Sequence, residues 1–318
     1  MAEVFELAFR EMAGFLLFFA VGVLLGRLGL LPEQAGAALS RLITYVFLPA
    51  MMFNSFALQC TVEKLVGYAR LLAAGILLLL ICVPVSLWMR RVFRGEHIER
   101  ITASYSMVVP NFAYLGYPLV LALFGQEALV KFMMFGMPFH LYIYGYAMKQ
   151  WMPESGKGGS ALLRTLNAPI IALLLGMALG LSGLPYPGFL ARMSQSAAAC
   201  MSPCAMIATG LAIGRIPLKR LLGDGRVYGI AALRLIALPA VFGTAAFFLC
   251  RWFRLEPDIL RIAGVFLALP LGINPVVFAQ AYGHDGGFAA KCALISMLIS
   301  LVTLPALLSL VSKLALLL

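Results

Sequence analysis

Charge is what this sequence has least of. Only 12% of its 318 residues are Asp, Glu, Lys or Arg, and just 13 are acidic; a soluble domain carries about twice that charged share. Every acidic residue falls outside the apolar runs or at their ends. Paired carboxylates for acid–base work inside an apolar run are therefore absent, as is the embedded carboxylate that usually relays protons in coupled carriers. No HExxH and no Gly-rich nucleophile turn is present, so an intramembrane enzyme lacks its machinery, and an enzyme is not expected. Basic runs interleaved with aromatics are also missing. The net charge of +11 comes from Lys and Arg at the ends of apolar runs, which suits a membrane surface and not nucleic acid. The six cysteines include Cys200 and Cys204, four apart on one helix face. With no His or acid beside them they read as packing residues, and no disulfide, metal or cofactor is implied.

Apolar sequence is what the chain has in abundance: 63% of the residues are hydrophobic and the mean hydropathy is +0.98. A helix needs about 20 apolar residues to cross a hydrocarbon core. Windows of that kind fall at 13–31, 38–58, 66–89, 101–124 and 128–149, and again at 166–183, 190–213, 226–250, 259–282 and 289–312. The start of the chain, through Arg10 and Glu11, has no basic cluster and no small-residue cleavage site, so the first window is expected to stay as a helix. The one linker-like stretch, Gly/Ser-rich and polar, is 153–160.

The midpoint linker separates two related halves. Gly22-Val-Leu-Leu-Gly-Arg-Leu-Gly-Leu30 and Gly176-Met-Ala-Leu-Gly-Leu-Ser-Gly-Leu184 share Gly, Leu, Gly, Gly and Leu at an offset of 154 residues. The same offset carries Pro49 onto Pro203, and 155 residues carry Pro84 onto Pro239. The fourth windows of both halves are interrupted, by Val109-Pro110-Asn111 and by Pro270-Leu-Gly-Ile-Asn-Pro275. Five windows per half is an odd number, so a second copy enters the membrane from the opposite side. The expected fold is an all-α integral membrane protein of ten transmembrane helices in two inverted five-helix repeats, 1–150 and 166–318, joined by a cytoplasmic linker at 151–165. Helices 4 and 9 are broken. Inverted repeats of this kind recur in secondary transporters. Assigned to their nearest window ends, Lys and Arg divide 14 against 9, which places the first side in the cytoplasm and both termini on the non-cytoplasmic side of an inner membrane.

The breaks are the candidate site. Proline removes a backbone donor, and groups freed inside a membrane must be met by protein or by water in a cavity. A half-helix beginning at mid-membrane offers free N–H groups and a positive dipole end to an anion. Asn111 and Asn274 stand at the breaks, beside Pro110, Pro270 and Pro275, and Tyr114 is one turn from Asn111. Arg234, inside the eighth window, either pairs with a carboxylate substrate or snorkels to the cytoplasmic surface. His140 either titrates in a transport cycle or is satisfied by a neighbouring helix. Ser194, Gln195, Ser196 and Ser202 suit helix–helix hydrogen bonds, and Tyr142, Tyr144 and Tyr146 suit an interfacial belt.

Several segments resemble the auxin efflux carrier family. Phe47-Leu-Pro-Ala-Met-Met-Phe-Asn-Ser55 is similar to its second-helix motif. Asn111-Phe-Ala-Tyr-Leu-Gly-Tyr-Pro118 with Ala122-Leu-Phe-Gly125 is similar to the fourth-helix motif. Asn167 through Gly176 resembles the opening of the second half, and Leu269 through Ala279 with Tyr282-Gly283 resembles the ninth helix. The resemblance implies fourth and ninth helices that cross at their breaks, with Asn111 and Asn274 contacting substrate and Asn54 nearby. It also implies a small organic anion as partner: auxin-like acids, or carboxylates such as malate and malonate in bacterial members, whose short linker this chain shares. Phe112-Ala113 departs from the small polar residue and Gly of many members and makes the pocket more apolar. Expected is export or exchange by an elevator-type or rocking mechanism in the lipid bilayer, with a second copy of the chain, as a homodimer, one candidate partner. The alternative within transport is a sodium symporter of the bile-acid type, which uses acidic side chains that these windows lack. Anion export needs no relay, because an inside-negative potential drives it by about 2.3 kcal/mol per charge per 100 mV.

Overall fold

The computed structural model describes residues 2–32, 34–152, 167–214 and 216–317. Every secondary-structure element among them is helical. We number the principal helices α1 (Ala2–Arg27), α2 (Ala35–Gln59), α3 (Ala69–Val92), α4 (His97–Val108), α5 (Phe112–Gln150) and α6 (Ala168–Ser182). These are followed by α7 (Gly188–Gly214), α8 (Gly225–Phe253), α9 (Pro257–Ala268), α10 (Asn274–Ala281) and α11 (Gly287–Ala315). Six of them, α2, α3, α5, α7, α8 and α11, are long and apolar enough to cross a membrane, while α6 and the apolar part of α1, Met12–Arg27, are shorter. The linker expected at 151–165 lies, from residue 153 on, outside the described residues.

Proline shapes several helices from within. A proline cannot donate to the carbonyl four residues back, and its ring clashes with it. In α2, α5 and α8 the strain is absorbed by one wide π turn, the usual single-turn form of that helix: Ile43–Phe47 before Leu48-Pro49, Phe112–Gly116 before Tyr117-Pro118, and Leu233–Ala237 before Leu238-Pro239. In each case the residue before the proline donates its N–H to a carbonyl five residues back. Helix α7 is interrupted at Cys200, shortly before Pro203. Within α5 the chain turns sharply at Gly125, whose φ of 78° and ψ of −175° suit only a residue without Cβ.

Glycine decides which helices touch most closely. Helix α1 lies on α7 and helix α6 on α2, the two most extensive helix pairs in the molecule. A Cβ on Gly22 would collide with the Ile207 carbonyl, and one on Gly210 with the Phe19 carbonyl. On the other seam, a Cβ on Gly176 would lie 2.5 Å from the Phe53 carbonyl oxygen, and one on Gly180 would lie 2.9 Å from those of Phe56 and Cys60. The Gly-x-x-x-Gly steps of the two similar nine-residue segments therefore make the same kind of backbone-to-backbone contact, the small-residue packing of membrane helices. The remaining long helices form a second group. Helix α3 packs on α4 and α5, helix α9 on α8 and α11, and Gly75 brings α3 against the Phe135 carbonyl of α5. Leu77, Leu80, Ile236, Val241 and Val302 are exposed on its outside. An exposed apolar girdle is the natural surface of a helix bundle whose solvent is lipid.

Candidate functional site

Two chain breaks meet inside the second group. After α4 the chain is extended at Val109 and Pro110. After α9 it is irregular from Leu269 to Ile273. The two stretches run antiparallel, with Pro110 bridged to Leu271 and the Asn111 N–H donating to the Pro270 carbonyl at 2.9 Å. Gly272 permits this approach: a Cβ there would lie 3.2 Å from the Val109 carbonyl oxygen and 3.3 Å from that of Pro110. The Leu271 N–H is taken up by the Ser296 hydroxyl of α11 at 3.2 Å. The C-terminal ends of α4 and α9 and the N-terminal ends of α5 and α10 thus come together at one crossing.

Polar atoms without partners gather there. Asn111 is 1% exposed, and neither its Oδ1 nor its Nδ2 has a hydrogen-bond partner. Asn274 is 4% exposed; its Nδ2 donates to the Tyr105 hydroxyl at 2.7 Å while its Oδ1 has no partner. The hydroxyl of Tyr114 and the indole N–H of Trp151 are likewise buried and unpartnered, and the Tyr144 hydroxyl faces the Asn274 amide. Tyr105 packs edge-on against Trp151 with ring centroids 5.7 Å apart, and Phe278 of α10 packs against both Trp151 and Tyr144. Buried polar groups are ordinarily hydrogen-bonded, and each one that is not calls for an explanation. The other wall is aromatic: Phe112 meets Phe266 with centroids 5.2 Å apart and His140 at 4.8 Å.

The remaining sequence candidates distribute as follows. Pro110, Pro270 and Pro275 sit at the crossing itself, and Pro275 opens α10 in its first turn, where its missing N–H is harmless. Tyr114 is buried, and its carbonyl accepts from Ser202 of α7 at 2.8 Å, so Ser202 links the two helix groups. His140 is 2% exposed, with Nε2 3.3 Å from the Tyr117 hydroxyl and its ring edge-on to Phe56 and Phe112. Its Nδ1 is buried without a hydrogen-bond partner, and the Tyr117 contact lies within α5 itself. Asn54 engages elsewhere, accepting at 3.4 Å from Ser194, which is 2.5 Å from the Tyr186 hydroxyl.

Two expectations are corrected. Arg234 does not snorkel to the surface: it is 0% exposed and donates from Nη2 to the Phe266 carbonyl at 3.2 Å. Its position in a π turn facing α9 leaves it no path to water. Tyr144 does not belong to an interfacial belt; it is 0% exposed and faces the crossing, whereas Tyr146, two residues on, is half exposed. Tyr105 and Trp151 were not anticipated. Aromatic residues near window ends look alike in sequence whether they face lipid headgroups or the bundle interior.

The spaces left between the helices are unequal. A cleft of about 460 Å³ opens where the α1–α2 connection, α7 and the end of α10 meet, lined by Gln34, Gly36, Gln280 and Asp285. Between Gln59, Tyr117 and His140 the space is about 10 Å³, hardly one water. Among the described residues no Asp or Glu is buried. Ion pairs lie at the ends of the bundle instead. Arg226 binds Glu99 at 2.7 Å and Asp224 at 2.8 Å at one end. Lys131 binds Asp258 at 2.6 Å at the other. Asp224, just outside α8, is held below the usual carboxylate range, first by the hydrogen bond from the Arg226 side chain.

A bundle with an apolar exterior and a buried crossing of half-helices, where hydrogen-bonding groups stand idle, has the build of a membrane carrier. Family comparison agrees. Residues 7–308 match the model described as "Membrane transport protein", and the chain belongs to that family, the auxin efflux carrier family. A protein of Methanothermobacter thermautotrophicus described as an "Uncharacterized transporter" is 25% identical over 298 residues, covering 90% of this chain and 92% of its own. A Rhizobium meliloti protein described as a "Putative malonate transporter" is 25% identical over 302 residues, covering 92% of each chain.

Proposed function

We propose that this membrane transporter carries small organic anions, carboxylates of the malonate and malate kind or auxin-like acids, and binds them at the crossing between Asn111 and Asn274. The observation that carries the proposal is the idle amide chemistry there: Asn111 Oδ1 and Nδ2 and Asn274 Oδ1 are all buried without a partner. The positive ends of α5 and α10 flank them, and such ends favour a carboxylate. The likeness to a relative described as a malonate transporter supports the substrate class. Pro110, Pro270 and Pro275 keep the helices open, and Tyr114 adds a hydroxyl one turn from Asn111.

The chain crosses the membrane ten times in two inverted repeats, 1–150 and 166–318, with α4 and the first part of α5 as one broken crossing and α9 with α10 as the other. The matching glycine seams α1–α7 and α6–α2 support that symmetry, since exchanging the halves exchanges the seams. Both termini lie on the non-cytoplasmic side of the inner membrane. The unequal clefts then correspond to a state open to the cytoplasm, from which export or exchange proceeds by alternating access, with Asn54 and Ser194 on the closed side. The test is uptake of radiolabelled mono- and dicarboxylates into proteoliposomes, repeated with Asn111→Ala and Asn274→Ala. Saturable flux of at least one acid, reduced by both substitutions, is expected; flux of an acid indifferent to both removes the crossing as the site.

A further inference from the structure

Arg234 is the only Lys, Arg, Asp or Glu in the buried interior among the described residues. No carboxylate among them pairs with it. Its Nη2 donates to the Phe266 carbonyl at 3.2 Å, and its Nε and Nη1 have no partner. A guanidinium keeps its proton in a protein interior, and an unpaired charge in a membrane is costly enough to mark function.

Its position supplies the function. Phe266 belongs to the last turn of α9, whose final carbonyls have no donor within the helix. Helix carbonyls point toward the C-terminal end, so the guanidinium lies on the side of Phe266 that faces the break. The C-terminal end of a helix carries roughly half a negative charge. Arg234 outweighs it, and the crossing changes from balanced helix ends to a net positive site. The fold itself does not demand a cation there. The 155-residue offset that carries Pro84 onto Pro239 carries Leu79 of α3 onto Arg234. One half manages with leucine at the corresponding place.

We infer that Arg234 is the resident counter-charge of the crossing and sets its preference for anionic over uncharged ligands, acting through the field at the end of α9. The inference rests on the proposed site at Asn111 and Asn274. An empty carrier holds one uncompensated positive charge in its interior, and a carboxylate neutralises it on binding.

The test uses the full chain in lipid nanodiscs, with malonate and its uncharged diamide, malonamide, as probes of binding. Arg234→Met removes the charge without burying a new polar group. It is expected to lower malonate affinity by about tenfold or more, the scale of a close charge interaction, while malonamide affinity changes by less than about twofold. Arg234→Lys keeps the acid-over-amide preference, and Asn111→Ala weakens both probes together. Equal weakening of both probes by Arg234→Met, or no change in either, overturns the inference and leaves the crossing standing if Asn111→Ala still acts. If the Met variant is not recovered folded, Arg234→Lys decides alone: loss of the preference with the charge retained refutes the inference. Failure of the wild type to bind malonate overturns the malonate-type substrate and this inference together.

Discussion

Replacing Asn111 with leucine separates binding from structure by the sign of its effect. The side chain is 1% exposed and both ends of its amide are unpartnered. A buried polar group left unsatisfied costs about 1–3 kcal/mol. Leucine has nearly the same branched shape and no polar atoms, so the substitution relieves that cost for two atoms and opens no sizeable cavity. Some of the gain is offset by rearrangement against Phe112 and its ring neighbours. The expected net effect on the empty protein is stabilisation by about 1–3 kcal/mol, seen as a rise in the thermal unfolding midpoint in detergent. Ligand binding moves the other way. Hydrogen bonds to a charged group contribute about 1.5–3 kcal/mol, so carboxylate affinity falls by about one to two orders of magnitude. Ligand-induced stabilisation measured on the same samples reads both quantities. A variant that is destabilised when empty, with ligand stabilisation intact, would show that the Asn111 amide serves the fold, and the argument from idle polar atoms would collapse.

Other perturbations have equally definite outcomes. Gly176→Leu and Gly22→Leu, on the two glycine seams, should each lower the unfolding midpoint strongly and to a similar degree, because the obstructing atoms are backbone; overpacking of this kind costs about 1–3 kcal/mol or more, and a large effect at only one seam would speak against their equivalence. Gly125→Ala forces a Cβ into a conformation nearly reserved for glycine and should destabilise by about 1–3 kcal/mol, measured by the same melt. Asp224 has a lowered folded-state value, so its contribution is fully present above the unfolded carboxylate range near pH 4 and is lost as pH falls below it. Asp224→Asn should flatten that part of the acid limb of a pH–stability profile while leaving the neutral plateau lower by no more than about 1 kcal/mol.

The breaks were legible in the sequence because proline acts locally: Val109-Pro110-Asn111 and Pro270 to Pro275 announce lost hydrogen bonds wherever they occur. Glycine spacing was legible for the same reason, since Gly22 and Gly26 repeat as Gly176 and Gly180 at one offset. The π turns were not, although each precedes a Leu-Pro or Tyr-Pro pair. A proline in an apolar window leaves kink, break and widened turn equally open, and the neighbouring helix decides among them. Burial within a window was also beyond reach. Arg234 lies eight residues into its run, a position from which either the surface or the interior is accessible, and only the approach of α9 fixes which. Tyr105 and Trp151 join the crossing through Asn274 and Phe278, partners remote in sequence, so nothing local distinguishes them from surface aromatics.

The glycine seams bear on how such a molecule can move. Where α1 meets α7 and α6 meets α2, backbone fits against backbone with no side chains between, like the teeth of a ratchet. Sliding either pair by a few ångströms would drive Cα atoms into carbonyls, so the two helices of each pair travel together. The contacts joining them to the crossing are of another kind: side chains such as Ser40 on Gln280 and Ser202 on the Tyr114 carbonyl, which release and re-form at little cost. Displacement between the two groups of helices is thereby steered to that softer boundary, and the stiffness of the seams determines which part of the molecule is track and which is carriage.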